Sequence, residues 1–171
     1  MTSGLRTPAG SREGGYHLAF YKGPGRPDDR LIRFATRSIY SHVELLWLAL
    51  DQVTAEGALA ISSSGRDGGV RTKRITFAPD RWDVLAAPWA PDDAWDTAEA
   101  ELDRRYDYIG ILLSQIVRLQ RHARTRWFCS ELCAAALGFE MPQSYSPGDL
   151  ARTVVQMNRA FVLGRNPRFQ L

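Results

Sequence analysis

Cys129 and His42 are the residues whose type and position could do covalent chemistry. Cys129 stands near the start of Trp127-Phe128-Cys129-Ser130-Glu131-Leu132-Cys133-Ala134-Ala135-Ala136-Leu137, which reads as a helix closed by Gly138. A cysteine in a first helical turn meets unpaired backbone N–H groups and the positive end of the helix dipole. Both favour thiolate over thiol, the nucleophilic form. The same donors can hold a developing oxyanion. His42 lies in Ser41-His42-Val43-Glu44-Leu45-Leu46, where alternation turns Val43 and Leu45 one way and His42 and Glu44 the other. An imidazole at the start of a strand can reach a thiol on a helix packed against the sheet. It would then serve as base in attack and as acid toward the leaving group.

The other histidines and cysteine have plainer readings. His17 falls inside an apolar strand, and His122 in the basic stretch from Arg118 to Arg126. Cys133 sits one turn deeper, among alanines, where a thiol behaves as a small buried hydrophobe. Two cysteines four apart, with no second Cys/His pair nearby, do not make a zinc site, and a disulfide between them would be strained. No metal and no cofactor is expected. Ser64-Gly65-Arg66-Asp67-Gly68-Gly69-Val70-Arg71 lacks the spacing of a phosphate loop and reads as a hairpin at a substrate rim. There Arg66 and Arg71 could meet an acidic group.

The elements that must position these residues follow from periodicity and turn signals. Tyr16–Tyr21, Ser41–Leu50, Ala58–Ser63, Val70–Phe77 and Trp82–Ala87 read as strands. Asp28 and Asp29 can cap a short helix with Leu31, Ile32 and Phe34 on its inner side. Pro91–Arg105 reads as an acidic amphipathic helix, and Tyr108–Leu119 as a more apolar one. Ser146-Pro147 starts a last helix running to about Asn158, with Ala160–Leu163 returning as an edge strand. A strand-rich first half and a helix-rich second half make an α+β domain. The expected layout is a disordered leader over residues 1–15 and one domain over 16–171, without repeats.

With 44% hydrophobic and 24% charged residues the chain has the composition of a globular protein, and no apolar run reaches bilayer length. The first residues lack the apolar core of a signal peptide. Synthesis in the cytoplasm is expected, with release by lysis, a phage particle or a secretion apparatus. The net charge of +3 suits an anionic partner, but no aromatic-interleaved basic stripe is present, which argues against nucleic acid.

Ser41-His42-Val43-Glu44-Leu45, then Tyr106-Asp107-Tyr108, then Phe128-Cys129-Ser130-Glu131-Leu132 resembles the permuted papain-like cysteine hydrolases. These belong to the NlpC-type superfamily, in the branch with YiiX-like bacterial proteins and lecithin:retinol acyltransferase. The order His before Cys is the circularly permuted one, and the resemblance spans roughly 16–163. It implies an antiparallel sheet packed against helices, with the nucleophile at a helix N-terminus. It also implies a Cys129 nucleophile, a His42 base and a third polar residue orienting the imidazole. The strand after the His strand should supply that residue, and here it offers Ser62 and Ser63, ranked equally, ahead of Glu44 on the His strand itself. Tyr106 and Tyr108 would lie beside the Cys helix, where a hydroxyl, like Ser130, could assist the oxyanion or line the groove. The implied activity is thiol-dependent cleavage or acyl transfer at an amide or ester. A peptidoglycan peptide is favoured over a lipid acyl substrate, and the rival expectation is a non-catalytic binding or virion module.

Overall fold

The structure is a computed structural model and describes residues 14–49, 57–106 and 126–164. Its centre is a sheet whose strands run β5-β1-β2-β3-β4-β6-β7. They are β1 (Gly14–Tyr21), β2 (His42–Ala49), β3 (Ala58–Ser64), β4 (Gly69–Ile75), β5 (Trp82–Ala86), β6 (Arg105–Tyr106) and β7 (Arg126–Trp127). β1 to β5 pair antiparallel, and the two-residue β6 and β7 extend the β4 edge, with β7 parallel to β6. The helices are α1 (Pro27–Thr36), α2 (Ala94–Glu99), α3 (Cys129–Ala136) and α4 (Pro147–Val162). The chain is an α+β protein.

Strand alternation sorts the side chains onto two faces. Leu18, Phe20, Val43, Leu45 and Ile61 join Leu132, Leu150 and Val154 of the helices in the main core. Ala19, Leu46, Leu48 and Ala60 form a smaller cluster on the other face, packed with Ile75, Phe77 and Trp82. Fully burying one such Leu or Val is worth about 1.5–3 kcal/mol. The main core therefore fixes α3 against β2 and β3. β3 and β4 join through a hairpin in which Ser64 pairs with Gly69 and Gly68 takes a left-handed φ of 85°.

Several element boundaries differ from the sequence reading. β1 begins at Gly14, so residues 14 and 15 belong to the sheet rather than to a leader; residues 1–13 and the expected helix over 108–119 lie outside the described residues. The expected helix over Pro91–Arg105 shrinks to Ala94–Glu99, because the chain is captured by β4. Val70 N–H donates to Arg104 O at 2.8 Å and Asp103 N–H to Val70 O at 3.2 Å, with Asp103 left-handed at φ 65°. Sheet extension overrides helical propensity there. Ala160–Val162 is not a strand but the last turn of α4, whose hydrogen bonding continues from Leu163 N–H to Arg159 O.

α1 is rotated relative to the expected inner face. Leu31 is 48% exposed and Phe34 83%, while Asp29 and Ile32 face inward. The reason is electrostatic. The Asp29 carboxylate accepts from Arg26 N–H (2.8 Å), Ser41 Oγ–H (3.1 Å) and Arg66 Nη2–H (2.6 Å), and these bonds turn that face of the helix toward the protein.

Candidate active site

β2 delivers the site's polar residues from its first turn of pleat. His42 and Glu44 are two apart, hence on one face, and Glu44 Oε1 accepts from His42 Nε2 at 2.8 Å. Glu44 is 1% exposed, so its charge needs full compensation. Arg71 of β4 supplies it as a two-pronged clamp, Nη2 to Oε1 at 2.6 Å and Nη1 to Oε2 at 2.8 Å. Arg71 Nε donates in turn to Asp67 Oδ2 at 2.8 Å, at the tip of the β3–β4 hairpin. Register explains the reach. Arg71 lies directly across from Ser62, and one step beyond the Leu45–Ile61 pair sets Ser62 across from Glu44, so the small serine leaves a path between the two long side chains.

The imidazole's other electrostatic neighbour is Cys129, the first residue of α3. Trp82 walls the ring at a centroid distance of 6.4 Å, edge to face. Burial disfavours an imidazolium here, but negative charge at Cys129 and Glu44, with their hydrogen bonds, outweighs it and raises the His42 pKa to about 10. Against its own burial, the Arg71 clamp and the imidazolium hold the Glu44 carboxyl below its ordinary value. Asp67, Arg71, Glu44 and His42 thus form a line of alternating charge that runs from the hairpin to Cys129 at the start of α3.

Cys129 is fully buried. His42, 18% exposed at its side chain, lines a cavity of about 830 Å³ together with Glu44, Arg66, Arg74, Leu31 and Trp82 among others, and Cys129 is not part of that lining. Leu132 N–H bonds back to Phe128 O, and Phe128 N–H donates to Glu131 Oε2 at 3.3 Å, which sets the first turn of α3. The N–H groups of Cys129 and Ser130 precede the intrahelical ladder and sit beside the thiol. Cys133, one turn on, is equally buried, and burial followed by the charges of Cys129 and Glu44 pushes its thiol well above the ordinary value.

The sequence-nominated residues divide. Cys129, His42 and Glu44 come together. The serines of β3 do not take the orienting position: Ser62 Oγ–H donates to the Val43 carbonyl at 2.6 Å, bracing the strands, and neither Ser62 nor Ser63 occupies the His42 Nε2 position that Glu44 holds. The orienter expected from the neighbouring strand is thus replaced by a carboxylate on the His strand, long enough to span two residues. Ser130 Oγ–H is spent on the Tyr145 carbonyl. Arg66 and Arg71 are tied to Asp29, Glu44 and Asp67 rather than free for an acidic group. Tyr106 lies in β6, but its side chain, like Asp107 and Tyr108, is outside the described residues, as is His122. His17 Nδ1 stays local, 3.0 Å from Gly15 O. What the sequence reading missed is Arg71's place in the cluster; its signal was a cation two strands away on the row of Glu44. Among the described residues no group of His, Cys, Asp or Glu could hold a metal ion, and no helix is long and apolar enough to cross a membrane.

An α+β protein with a buried Cys–His–Glu cluster at a helix start is the class that fold and site define. No family model matches the chain, and no curated protein matches it either.

Proposed function

We propose that the protein is a thiol-dependent hydrolase on a permuted papain-like fold, cleaving an amide through an acyl-enzyme on Cys129. The observation that carries this reading is His42 bonded to the buried Glu44 carboxylate, with its charge coupled to Cys129 at the start of α3. In the proposed cycle His42 takes the thiol proton as Cys129 Sγ attacks the carbonyl carbon, and backbone N–H groups at the start of α3 stabilise the oxyanion. The His42 imidazolium gives its proton to the leaving amine. Water, deprotonated by His42, then attacks the thioester, and its collapse restores the thiol and releases the acid. Glu44 keeps the ring's Nε2 side occupied and stabilises the imidazolium, the role a carboxylate plays in a Ser-His-Asp triad.

The cavity beside His42 carries both signs of charge, Asp28 and Asp80 with Arg74 and Arg81, beside apolar Leu31, Ile32 and Ile75. That mixture favours a peptide with free amino and carboxyl groups, such as a peptidoglycan peptide, over a lipid acyl chain. The complete burial of Cys129 favours a second reading, a binding or structural module that keeps the cluster for stability. Incubating wild type and Cys129→Ala with muropeptides and with phospholipids decides among them. Release of a new amine and carboxylate from muropeptides by wild type alone supports the proposal. Fatty-acid release would reassign the substrate, and no product from either would leave the binding module.

A further inference from the structure

A second concavity, sharing no residue with the one beside His42, lies further along the same edge strand, β5. It is a groove of about 610 Å³ between the α1–β2 connection, β5 and α4. β5 is the outer strand of the sheet. Its register with β1 is fixed by Ala87 N–H to Tyr16 O (2.7 Å) and Lys22 N–H to Arg81 O (2.8 Å). Alternation along an antiparallel pair then turns the backbone groups of Asp83 and Leu85 toward β1 and those of Trp82, Val84 and Ala86 outward. Asn158 Nδ2–H claims the Ala86 carbonyl at 2.8 Å, and Trp82 N–H bonds to Ala78 O. Val84 is left as the open rung, with its side chain 41% exposed in the groove. Such edges are normally blocked by lysine, proline or a covering element; at Val84 none of these is present among the described residues.

Charge selects the occupant. Arg37, Arg152 and Arg159 line the groove, and its single lining carboxylate, Asp83, is already taken by Lys22 Nζ at 2.6 Å and Tyr40 Oη–H at 2.7 Å. Arg152 pairs with Asp149, whereas Arg37 and Arg159 are exposed with no carboxylate partner among the described residues. Exposed Ile39 and Val155 add apolar surface between the arginines. A second copy docked edge to edge would set arginines against arginines. The chain's own termini, 1–13 and 165–171, carry net positive charge, and the acidic stretch 50–56 is tethered at both ends to β2 and β3. We propose that this groove is a docking site for an extended acidic segment of another protein, which adds to β5 at Val84 and pairs its carboxylates with Arg37 and Arg159.

The test uses the full chain and two fluorescein-labelled hexapeptides, one of alternating Glu and Val and one of alternating Lys and Val, followed by anisotropy. The acidic peptide should bind and the basic one should not, with affinity falling as salt rises. Arg37→Glu with Arg159→Glu should weaken it by about tenfold or more. The acidic peptide should also slow hydrogen exchange of the Val84 amide, a readout that needs no variant. Val84→Pro should abolish the binding, since it removes the outward N–H and leaves the β1 ladder intact. Equal binding of both peptides, an unchanged Val84 amide, or binding lost in Arg74→Glu but kept in the double charge reversal would overturn the assignment. So would a concentration-dependent dimer that Val84→Pro abolishes, which would give the edge to a second copy.

Discussion

Cys129 and Cys133 occupy successive turns of α3, are buried to the same degree, and have opposite surroundings. Cys129 lies at the end of a charged line through His42, Glu44, Arg71 and Asp67. Cys133 lies in the main core with Leu132, Ala134 and Ala136. Burial alone therefore does not decide what a thiol can do; the compensation arranged around it does. A charge in a dry interior is costly unless partners are fixed beside it, and only the first turn of α3 has them.

The contrast breaks most sharply at His42. In wild type, iodoacetamide should label Cys129 well ahead of Cys133 near neutral pH. Replacing His42 with Ala should cut the Cys129 rate by about 100-fold, the scale of a lost proton-transfer partner, and leave Cys133 unchanged. Peptide-resolved mass spectrometry reads both cysteines in one sample. Equal, slow labelling of the two in wild type would remove the distinction.

Glu44→Gln tests the line itself. It leaves Arg71 facing a neutral amide in a site only 17% exposed, so stability should fall by about 3 kcal/mol in urea unfolding. The His42 pKa should drop from about 10, since a carboxylate charge and its hydrogen bond are lost. Arg71→Lys keeps the charge but not the two-pronged geometry, and should fall between wild type and Glu44→Gln in both measurements. An unshifted His42 proton titration in Glu44→Gln would show that the carboxylate does not set the imidazole's state.

Much of this pair was legible in the sequence and part of it was not. Cys129 at a helix start and His42 at a strand start are local features, readable from turn residues and alternation. The choice of Glu44 over Ser62 and Ser63 was not, because it depends on a cation brought from β4 by strand register, information that spans 27 residues of sequence. The same kind of long-range capture shortened the helix before β6, where β4 took the chain into the sheet. Leu31 and Phe34 were expected inside on hydrophobicity alone, and Asp29's three hydrogen bonds outweighed them.

pH extends the comparison to the folded state as a whole. His42 has a folded pKa of about 10 against an ordinary 6.5, so folding favours its protonated form. Its contribution to stability is whole below about 6.5, declines as the unfolded chain releases the proton, and is lost as pH passes the folded value. Unfolding free energy should slope downward across that window in wild type, and His42→Gln should flatten the slope. A wild-type profile that stays level from pH 6.5 to 10 would contradict the raised value.

The smallest expected effect belongs to the second turn. Cys133→Ala removes one buried sulfur from the main core and touches none of the charged residues. The loss of packing should cost about 1 kcal/mol, near the low end for deleting a buried group, since the neighbouring alanines leave a small cavity. Labelling of Cys129 should keep its rate and its dependence on His42. Should Cys133→Ala slow Cys129 labelling as much as Glu44→Gln does, the two turns of α3 would be one coupled site, and the reactivity assigned to the charged line would instead depend on packing behind the thiol.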